Sequence, residues 1–477
     1  MGQSNWLDST ISFVSPTWGA KRQQARTAGQ ILGSYSGAVP TRLSTAWPGS
    51  TQSGIQYQIA NSYALSQMRN RARQLERNNI IADGLLNRCV DNVIGTGFEL
   101  QSTTDDNEWN KKAEGLFYDW FDTADITGLT WAEHQRLVFR SHIRDGDVGS
   151  ILLREGRLQA IESDLISTPT GRNDDSIIDG VGLNQYNRPT RFFIAAVGTN
   201  GNEVHRAVDA NDFVFLPRLK RLNQVRGESA FTQSFGLFDQ LDGYIEAVIV
   251  AARMAACFGV AITKAQPNQF LNNLGTTGNR QGQQQREMGF EPGMMPVLEP
   301  GESITTINPS QPQQSFPDSL TMFMRLLGLS LGMPIELVLL DFSRTSYASA
   351  RASMIQAYRS FESMQKLMTD RYLARIYRWR VSKFINDGQL PARPDAFEHR
   401  WIAPQWPYLD PIKELQAMQM SIDVGTETLA SVLTSQGKDW DEMVTQRKAE
   451  LDALRAGGIP IYHSAAMQTL DQRGEAA

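Results

Sequence analysis

Residues 329–361 read LSLGMPIELVLLDFSRTSYASARASMIQAYRSF, and the punctuation of this stretch sets the reading of the whole chain. Pro334 disfavours helical geometry at Met333, so the apolar helix that carries Leu331 stops at Gly332-Met333-Pro334. An irregular segment with Asp341 and Arg344 follows, and Ser343, Thr345 and Ser346 are all good N-cap types ahead of a very long helix. The local shape is two helices joined by a loop with a charged, hydroxyl-rich tip. Nothing in the stretch has the spacing of a catalytic triad or of a metal site.

On these residues the chain resembles the portal proteins of tailed bacteriophages, specifically the lambda-like portal family. Leu331-Gly332-Met333-Pro334 matches a Leu-Gly-x-Pro stop, Asp341-Phe342-Ser343 a short acidic-aromatic-serine segment, and Tyr347-Ala348-Ser349-Ala350-Arg351 the helix start. Ser346 and Ala348 stand where Asn and Ser are commoner. Three further pieces follow the family's order: Arg71 to Asn79 running on to Ile94-Gly95-Thr96-Gly97, then Gly227-Glu228-Ser229, then Leu409-Asp410-Pro411 with Gly425-Thr426. Together they span roughly Gln58 to Leu454.

Composition sets bounds that do not depend on the resemblance. The 477 residues suffice for two or more domains, because a single core usually stops growing near about 250–300 residues. A hydrophobic content of 41% and a charged content of 20% are ordinary for globular proteins. Cys89 and Cys257 are the only cysteines, so neither a disulfide framework nor a Cys-rich zinc site is available, and a reducing interior is the expected place of synthesis. The N-terminus lacks a secretory pattern. The most apolar window, Tyr244 to Ile262, is interrupted by Glu246 and Arg253, which disfavours a bilayer channel.

Formal net charge is -5 and uneven: Met1 to Val90 carries nine Lys and Arg against three Asp and Glu, Arg344 to Arg400 eleven against five, and Trp401 to Ala477 six against eleven. Static nucleic-acid binders are usually basic overall, because phosphate neutralisation supplies most of their affinity. This chain lacks that balance.

Taken in order, residues 1–57 are rich in Ser, Thr, Gly and Gln with Trp6, Trp18 and Trp47 among them, which reads as an arm that docks through its aromatics or as a disordered tail. Tyr63 to Ile94 reads as two helical pieces meeting near Asn78 and Asn79. The arginines at 69, 71, 73 and 77 share no single face, so they read as solvated or paired with another subunit, with DNA contact the weaker reading. Gly95-Thr96-Gly97 is a turn rather than a dinucleotide fingerprint, since Leu100 replaces the third glycine and a helix precedes it. Trp109 to Phe121 and Trp131 to Ile143 read as amphipathic helices, the second with a Thr130/Glu133 capping box. Val148 to Arg154, Leu158 to Ile161, Arg191 to Val197 and Asp212 to Leu216 then read as strands. The fold class expected is α+β, predominantly α-helical.

His142, Asp145 and Asp147 at the helix-to-strand corner invite a metal or acid-base reading, but Asp and Gly are ordinary turn residues and no HExxH accompanies them. Ser229 to Cys257 reads as a strut-like helix with Phe231, Phe235, Phe238, Leu241, Ile245 and Val248 at three- and four-residue steps. Phe258 to Phe316 is a polar interruption with one strand at Gly259 to Thr263 and a Pro300-Gly301 turn; Asp318 starts a returning helix with Phe323, Leu326 and Leu327. Tyr347 to Phe384 is one helical pattern of about 57 Å at 1.5 Å per residue, whose arginines at 351, 359, 371, 375, 378 and 380 read as intersubunit partners or as a solvated face. Asp410-Pro411, Thr426, and Asp439 with Glu442 announce three terminal helices.

The resemblance implies a portal fold with wing, stem, clip and crown regions around a central channel. It assigns 1–57 to an arm, 58–228 to the wing, 229–257 and 317–333 to the stem helices, 258–316 to the clip, 334–346 to the tunnel loop, 347–386 to a long wing helix, 387–460 to a helical wing and crown region and 461–477 to a tail. By the same resemblance Asp341, Phe342, Ser343, Arg344, Thr345 and Ser346 sit at the tunnel loop; Phe235, Phe238, Leu241, Ile245, Phe323 and Leu326 belong to the stem; and Gly282, Arg286 and Glu302 belong to the clip. The implied function is a ring of about twelve copies at one capsid vertex, assembled in the host cytoplasm, a conduit for packaging and ejecting double-stranded DNA. Its implied partners are the terminase large subunit, a head-tail connector or adaptor, and the major capsid and scaffold proteins, with no membrane, cofactor, metal or catalytic residue. No GxxxxGK[ST] occurs, so the energy for translocation comes from elsewhere. Two alternatives stand beside this: a metal-dependent nuclease or protease of the phage head using Asp145 and Asp147 or Asp174, Asp175 and Asp179, and a ring adaptor that conducts nothing.

Overall fold

The computed structural model describes residues 54–169, 176–198, 201–256, 259–264, 302–307, 316–343, 345–406, 411–435 and 440–457. Helices α1 (Gly54–Asn78) and α2 (Ile80–Val93) meet at Asn79, whose side-chain oxygen accepts from the Ile81 and Ala82 N–H groups at 3.0 and 3.1 Å. The corner announced by Asn78-Asn79 is thus a capped helix start. Strand β1 (Glu99–Ser102) leads to α3 (Asn107–Phe121), capped by Asp106, and to α4 (Trp131–Asp145), which opens with the expected Thr130/Glu133 box. Helix α4 ends at Gly146 with φ of 95°, a left-handed cap that suits glycine.

A strand-rich stretch follows: β2 (Asp147–Leu152), β3 (Leu158–Glu162), a 3-10 turn at Ser163–Leu165, β4 (Ile177–Ile178), β5 (Val181–Leu183), β6 (Pro189–Val197), β7 (Glu203–Asp209) and β8 (Phe213–Pro217). They form two antiparallel sheets, ordered β3-β2-β8 and β4-β5-β6-β7. Ile151, Ile161 and Phe213 from the first and Val181, Phe192, Ile194 and Val208 from the second make one apolar core. The α+β expectation holds.

The chain continues as α5 (Phe235–Ala256), β9 (Gly259–Lys264), β10 (Glu302–Ile307), α6 (Phe316–Leu329), α7 (Ile335–Leu339), α8 (Tyr347–Leu367), a π-helical turn (Met368–Leu373), α9 (Ala374–Asn386), β11 (His399–Ile402), α10 (Pro411–Val424), α11 (Leu429–Ser435) and α12 (Trp440–Ala456). Two compact units result, Ser234–Leu327 and the remainder. In the larger unit β11 pairs antiparallel with β1, far away in sequence, and Phe117 of α3 stacks on Tyr377 of α9 at 5.3 Å. In the smaller unit β9 pairs antiparallel with β10, and Tyr244 of α5 lies against Phe316 and Phe323 of α6 at 5.8 and 5.9 Å. No helix among the described residues is long and apolar enough to cross a membrane.

Several bounds differ from the sequence reading. The helix expected from Ser229 starts at Phe235, because Ser229–Thr232 is a turn in which the Thr232 N–H donates to the Ser229 carbonyl. The helix carried to Leu331 ends at Leu329, where the Met333 N–H folds back onto the Gly328 carbonyl at 2.9 Å. The segment 334–346 is not irregular throughout, since Pro334 starts α7. The run from Tyr347 continues to Asn386 with a π turn inside it. The helix announced at Thr426 begins at Leu429, where Thr428 Oγ1 accepts from the Ser431 N–H at 3.1 Å.

Candidate functional site

The stretch from Gly328 to Ser349 is built by close approach and capping. A Cβ on Gly328 would stand 2.4 Å from the Met333 carbonyl oxygen, and one on Gly332, at φ 69°, would stand 2.8 Å from Ser360 Oγ. Both positions therefore exclude side chains. Helix α7 buries Glu336 and Leu337 and ends at Leu340, a half-exposed residue with φ of 53°. Asp341 Oδ1 accepts from the Ser343 N–H at 2.9 Å, Thr345 Oγ1 donates to buried Glu336 Oε1 at 3.1 Å, and Ser346 Oγ caps α8 by accepting from the Ser349 N–H. Asp341, Phe342, Ser343 and Ser346 are exposed and Thr345 is half-buried, whereas Arg344 lies outside the described residues. Leu340, Phe342 and Tyr347 present apolar surface in the same segment. The segment is a tethered, exposed tip with hydroxyl and carboxylate groups, as the sequence suggested.

The second feature was not legible in advance: a chain of arginine-carboxylate pairs joins α1, α4, β2 and the loop before α5. Asp147, fully enclosed, accepts from Arg226 Nε and Nη2 at 2.8 and 2.9 Å, from the Gly227 N–H at 2.8 Å and from Ser163 Oγ. Burial pushes the Asp147 carboxyl up, but the Arg226 charge and its hydrogen bonds outweigh this and hold it below the usual carboxylate range. Asp145 accepts from Arg73 at 3.0 and 2.8 Å and from Arg144 at 2.8 and 2.7 Å. Arg69, expected to be solvated or paired with another subunit, is buried and bonds the Ser163 carbonyl, Asp164 and Asp179 within its own chain. Arg73 likewise pairs within the chain.

Gly227-Glu228-Ser229 closes this arrangement. A Cβ on Gly227 would stand 1.8 Å from the Gly146 carbonyl oxygen, and one on Gly146 would stand 2.4 Å from the Glu228 backbone. Arg144-Asp145-Gly146-Asp147 and Arg226-Gly227-Glu228-Ser229 thus cross once, with a glycine of each segment at the point of contact. The carboxylates of Asp145 and Asp147 are consumed by arginines. Asp179 also pairs with Arg69 and Arg226, while Asp174 and Asp175 lie outside the described residues. Among the described residues no group of three or more His, Cys, Asp or Glu is placed to hold a metal ion.

One further constellation has the geometry of an acid-base relay. His134 Nδ1 lies 2.7 Å from Asp125 Oδ2 and its Nε2 lies 2.7 Å from the Tyr372 hydroxyl, which in turn is 2.6 Å from Ser150 Oγ. All four side chains are at most 2% exposed, so no substrate atom reaches them. The network satisfies buried polar groups and seats the π turn, to which Tyr372 belongs. Sequence reasoning missed it because its members come from four separate elements.

In the smaller unit Phe235, Phe238 and Leu241 are buried, Ile245 and Phe323 are half-buried and Leu326 is exposed, so the first three are packing positions. Glu302 stands opposite Lys264 in the β9-β10 register. Gly282, Arg286 and the Pro300-Gly301 turn lie outside the described residues.

Comparison with known proteins places these features in a family. A model described as phage portal protein, lambda family, matches residues 41–365, more than half of the chain. The chain is 21% identical to the probable portal protein of Halomonas phage phiHAP-1, covering 94% of this chain and 91% of that one. It is 20% identical to the portal protein of Escherichia phage N15 (83% and 86% covered) and 20% identical to portal protein B of Escherichia phage lambda (84% and 86%). A solved structure titled neck of native GTA particle computed with C12 symmetry aligns over 80% of this chain and 99% of that one at 13% identity, with a TM-score of 0.48. The match across 41–365 takes in the backbone crossing at Gly146 and Gly227, the helix-hairpin-helix segment and the exposed tip: the chain belongs to the lambda family of phage portal proteins, a structural family and not an enzymatic one.

Proposed function

We propose that this chain is the subunit of a ring of about twelve copies, at one vertex of a phage capsid, through which double-stranded DNA passes during packaging and ejection. The observation that carries the reading is the family match over residues 41–365. In this reading the wing comprises 58–228 with the long helical run from Tyr347, the stem helices are α5 and α6, the clip is 258–316, the tunnel loop is 334–346 and the crown lies within 387–460. The clip docks the terminase and later the head-tail connector, and the outer surface meets capsid and scaffold proteins.

The physical chemistry agrees with a conduit. A closed ring of identical subunits uses heterologous interfaces, for which the exposed apolar residues of α10, Ile412, Leu415, Met420 and Val424, are suited. DNA that must slide gains from a lumen without strong phosphate contacts, and the chain is acidic overall, with a net charge of -5. Asp341, Ser343 and Ser346, exposed at the tip, fit such a lumen, and Arg344 of the same stretch would supply a cationic point.

The experiment is native mass spectrometry of the purified chain combined with particle imaging. A ring near twelve copies with an open axial channel supports the reading. A chain that stays monomeric even with its capsid and scaffold partners overturns it, and a closed ring without a lumen overturns the conduit. Given a ring, Arg344→Ala is expected to alter packaging or DNA retention; unchanged values for both would remove that residue's role.

A further inference from the structure

A cleft of about 650 Å³ in the larger unit is used by neither the exposed tip nor the buried ion-pair chain. It lies over the edge of the two-sheet core. Phe192, Phe213 and Phe215 lie beneath it, and three cations stand around it: Arg188, Arg371 and Arg375. Each is positioned by local structure. Arg188 ends the turn joining β5 to β6, in which Asn184 Oδ1 accepts from the Tyr186 and Arg188 N–H groups at 2.9 and 3.0 Å and Asn187 takes a φ of 58°. Arg371 sits in the π turn and Arg375 one helical turn later, where its guanidinium donates to the Ala210 carbonyl. Residues four apart on a helix share a face.

These three differ from the arginines of the buried chain, which are saturated by carboxylates. Arg188, Arg371 and Arg375 make no ion pair among the described residues. Asp209, the acid that lines the cleft, accepts from the Asn211 N–H at 2.8 Å instead. Burial lowers the Arg375 guanidinium below its ordinary range and the neighbouring Arg188 charge adds to this, with Asp209 and Asp212 pulling the other way. A bound anion relieves that repulsion. Beside the cations the loop after β8 holds out Leu219 and Leu222, the latter fully exposed. That loop is tied by Gln224 Oε1, which accepts from the Lys220 and Arg221 N–H groups at 2.8 and 3.2 Å.

Cations beside exposed aliphatic side chains select between anionic partners. Single-stranded nucleic acid gains most from free aromatic faces on which bases stack. Phe192 and Phe213 are 2% and 0% exposed, so their faces are taken by the core. A peptide with carboxylates next to apolar side chains uses both the guanidinium groups and the two leucines. We propose that this cleft is a docking site for an acidic, apolar-containing peptide segment of a partner protein, its carboxylates held by Arg188, Arg371 and Arg375 and its apolar side chains packed on Leu219 and Leu222.

The test is fluorescence anisotropy with the full-length chain and a labelled peptide in which Asp and Glu alternate with Leu and Phe. The controls are the same peptide with Asn and Gln replacing the acids, and a labelled single-stranded DNA oligonucleotide. Saturable binding of the acidic peptide is expected, lost with the neutral peptide and weakened about tenfold or more by Arg188→Glu with Arg371→Glu. Leu222→Ser is expected to weaken it as well. Equal binding of acidic and neutral peptides, or affinity unchanged in the double variant, overturns the proposal. Oligonucleotide binding that depends on these arginines while the acidic peptide fails to bind overturns it in favour of a nucleic-acid site. If Arg371→Glu lowers the melting temperature, Arg188→Glu alone decides, because Arg188 is exposed and its substitution leaves the core intact.

Discussion

Arg226 and Asp147 form an enclosed bidentate pair, Nε to Oδ2 at 2.8 Å and Nη2 to Oδ1 at 2.9 Å, with neither side chain more than 2% exposed. Arg226 also donates to the carbonyls of Ile166, Asp179 and Ser163, so one guanidinium joins β2, the 3-10 turn and the loop before α5. Arg226→Met leaves a buried carboxylate with its charge uncompensated. The expected loss is about 3–5 kcal/mol of unfolding free energy, read from urea denaturation at neutral pH. A loss within the range of an exposed pair, below about 1 kcal/mol, would show that the pair is not structural.

The backbone crossing at Gly146 and Gly227 gives a second prediction. Gly227→Ala brings a Cβ to 1.8 Å from a carbonyl oxygen, a contact that only a shift of the main chain removes. Gly84→Ala, in α2 with nothing within 4 Å of the added atom, is the control. Gly227→Ala is expected to lower the melting temperature sharply or abolish soluble expression, while Gly84→Ala is neutral or stabilising by about 0.5–1 kcal/mol.

His142 makes stability depend on pH. Burial lowers its imidazole to about 4, with the Leu216 carbonyl and Asp147 opposing and Arg218 and Arg371 adding to the shift. The ordinary value is 6.5, so between these values the unfolded chain binds more protons than the folded one. Stability contributed by the neutral ring is therefore complete above about pH 6.5 and is lost as the pH falls towards 4, by about 3 kcal/mol in all. Denaturant titrations at pH 7 and pH 4.5 measure this. His142→Asn, which keeps a donor for the Leu216 carbonyl, is expected to flatten that part of the dependence.

Tyr372→Phe removes the hydroxyl that lies 2.7 Å from His134 Nε2 and 2.6 Å from Ser150 Oγ. Those groups are 3.5 Å apart and partly compensate each other. The expected cost is about 1–3 kcal/mol in thermal or chemical unfolding. A neutral result would mean that the relay does not hold the π turn.

Cys89 is buried, and burial pushes its thiol up to about 12. Thiolate is the reactive form, so alkylation of Cys89 in the native chain is expected to be negligible and to become rapid in denaturant. Peptide mapping after iodoacetamide treatment distinguishes this site from Cys257.

Local features of the fold were legible where physics acts over a few residues. The Asn79 corner, the Thr130/Glu133 box, the Ser346 cap and the turn at Gly332 each depend on neighbouring backbone groups, and each was written in the sequence. The strands β1 and β11 were not, because each is four residues long and finds its partner only across most of the chain. Strand β7 was missed because its pattern is largely exposed, leaving no apolar alternation to read.

The sequence alone determined the helix-loop-helix order around residues 329–361, the α+β class and the family resemblance, since these rest on short-range periodicity, capping and motif spacing. Only the tertiary structure decided what the charged residues do. Arg69, Arg73, Asp145, Asp147 and Arg226 lie on different elements, and their pairing is a matter of burial, where an unpaired charge is too costly to keep. The tertiary fold likewise brings Arg188, Arg371 and Arg375 around one cleft, where among the described residues they make no ion pair.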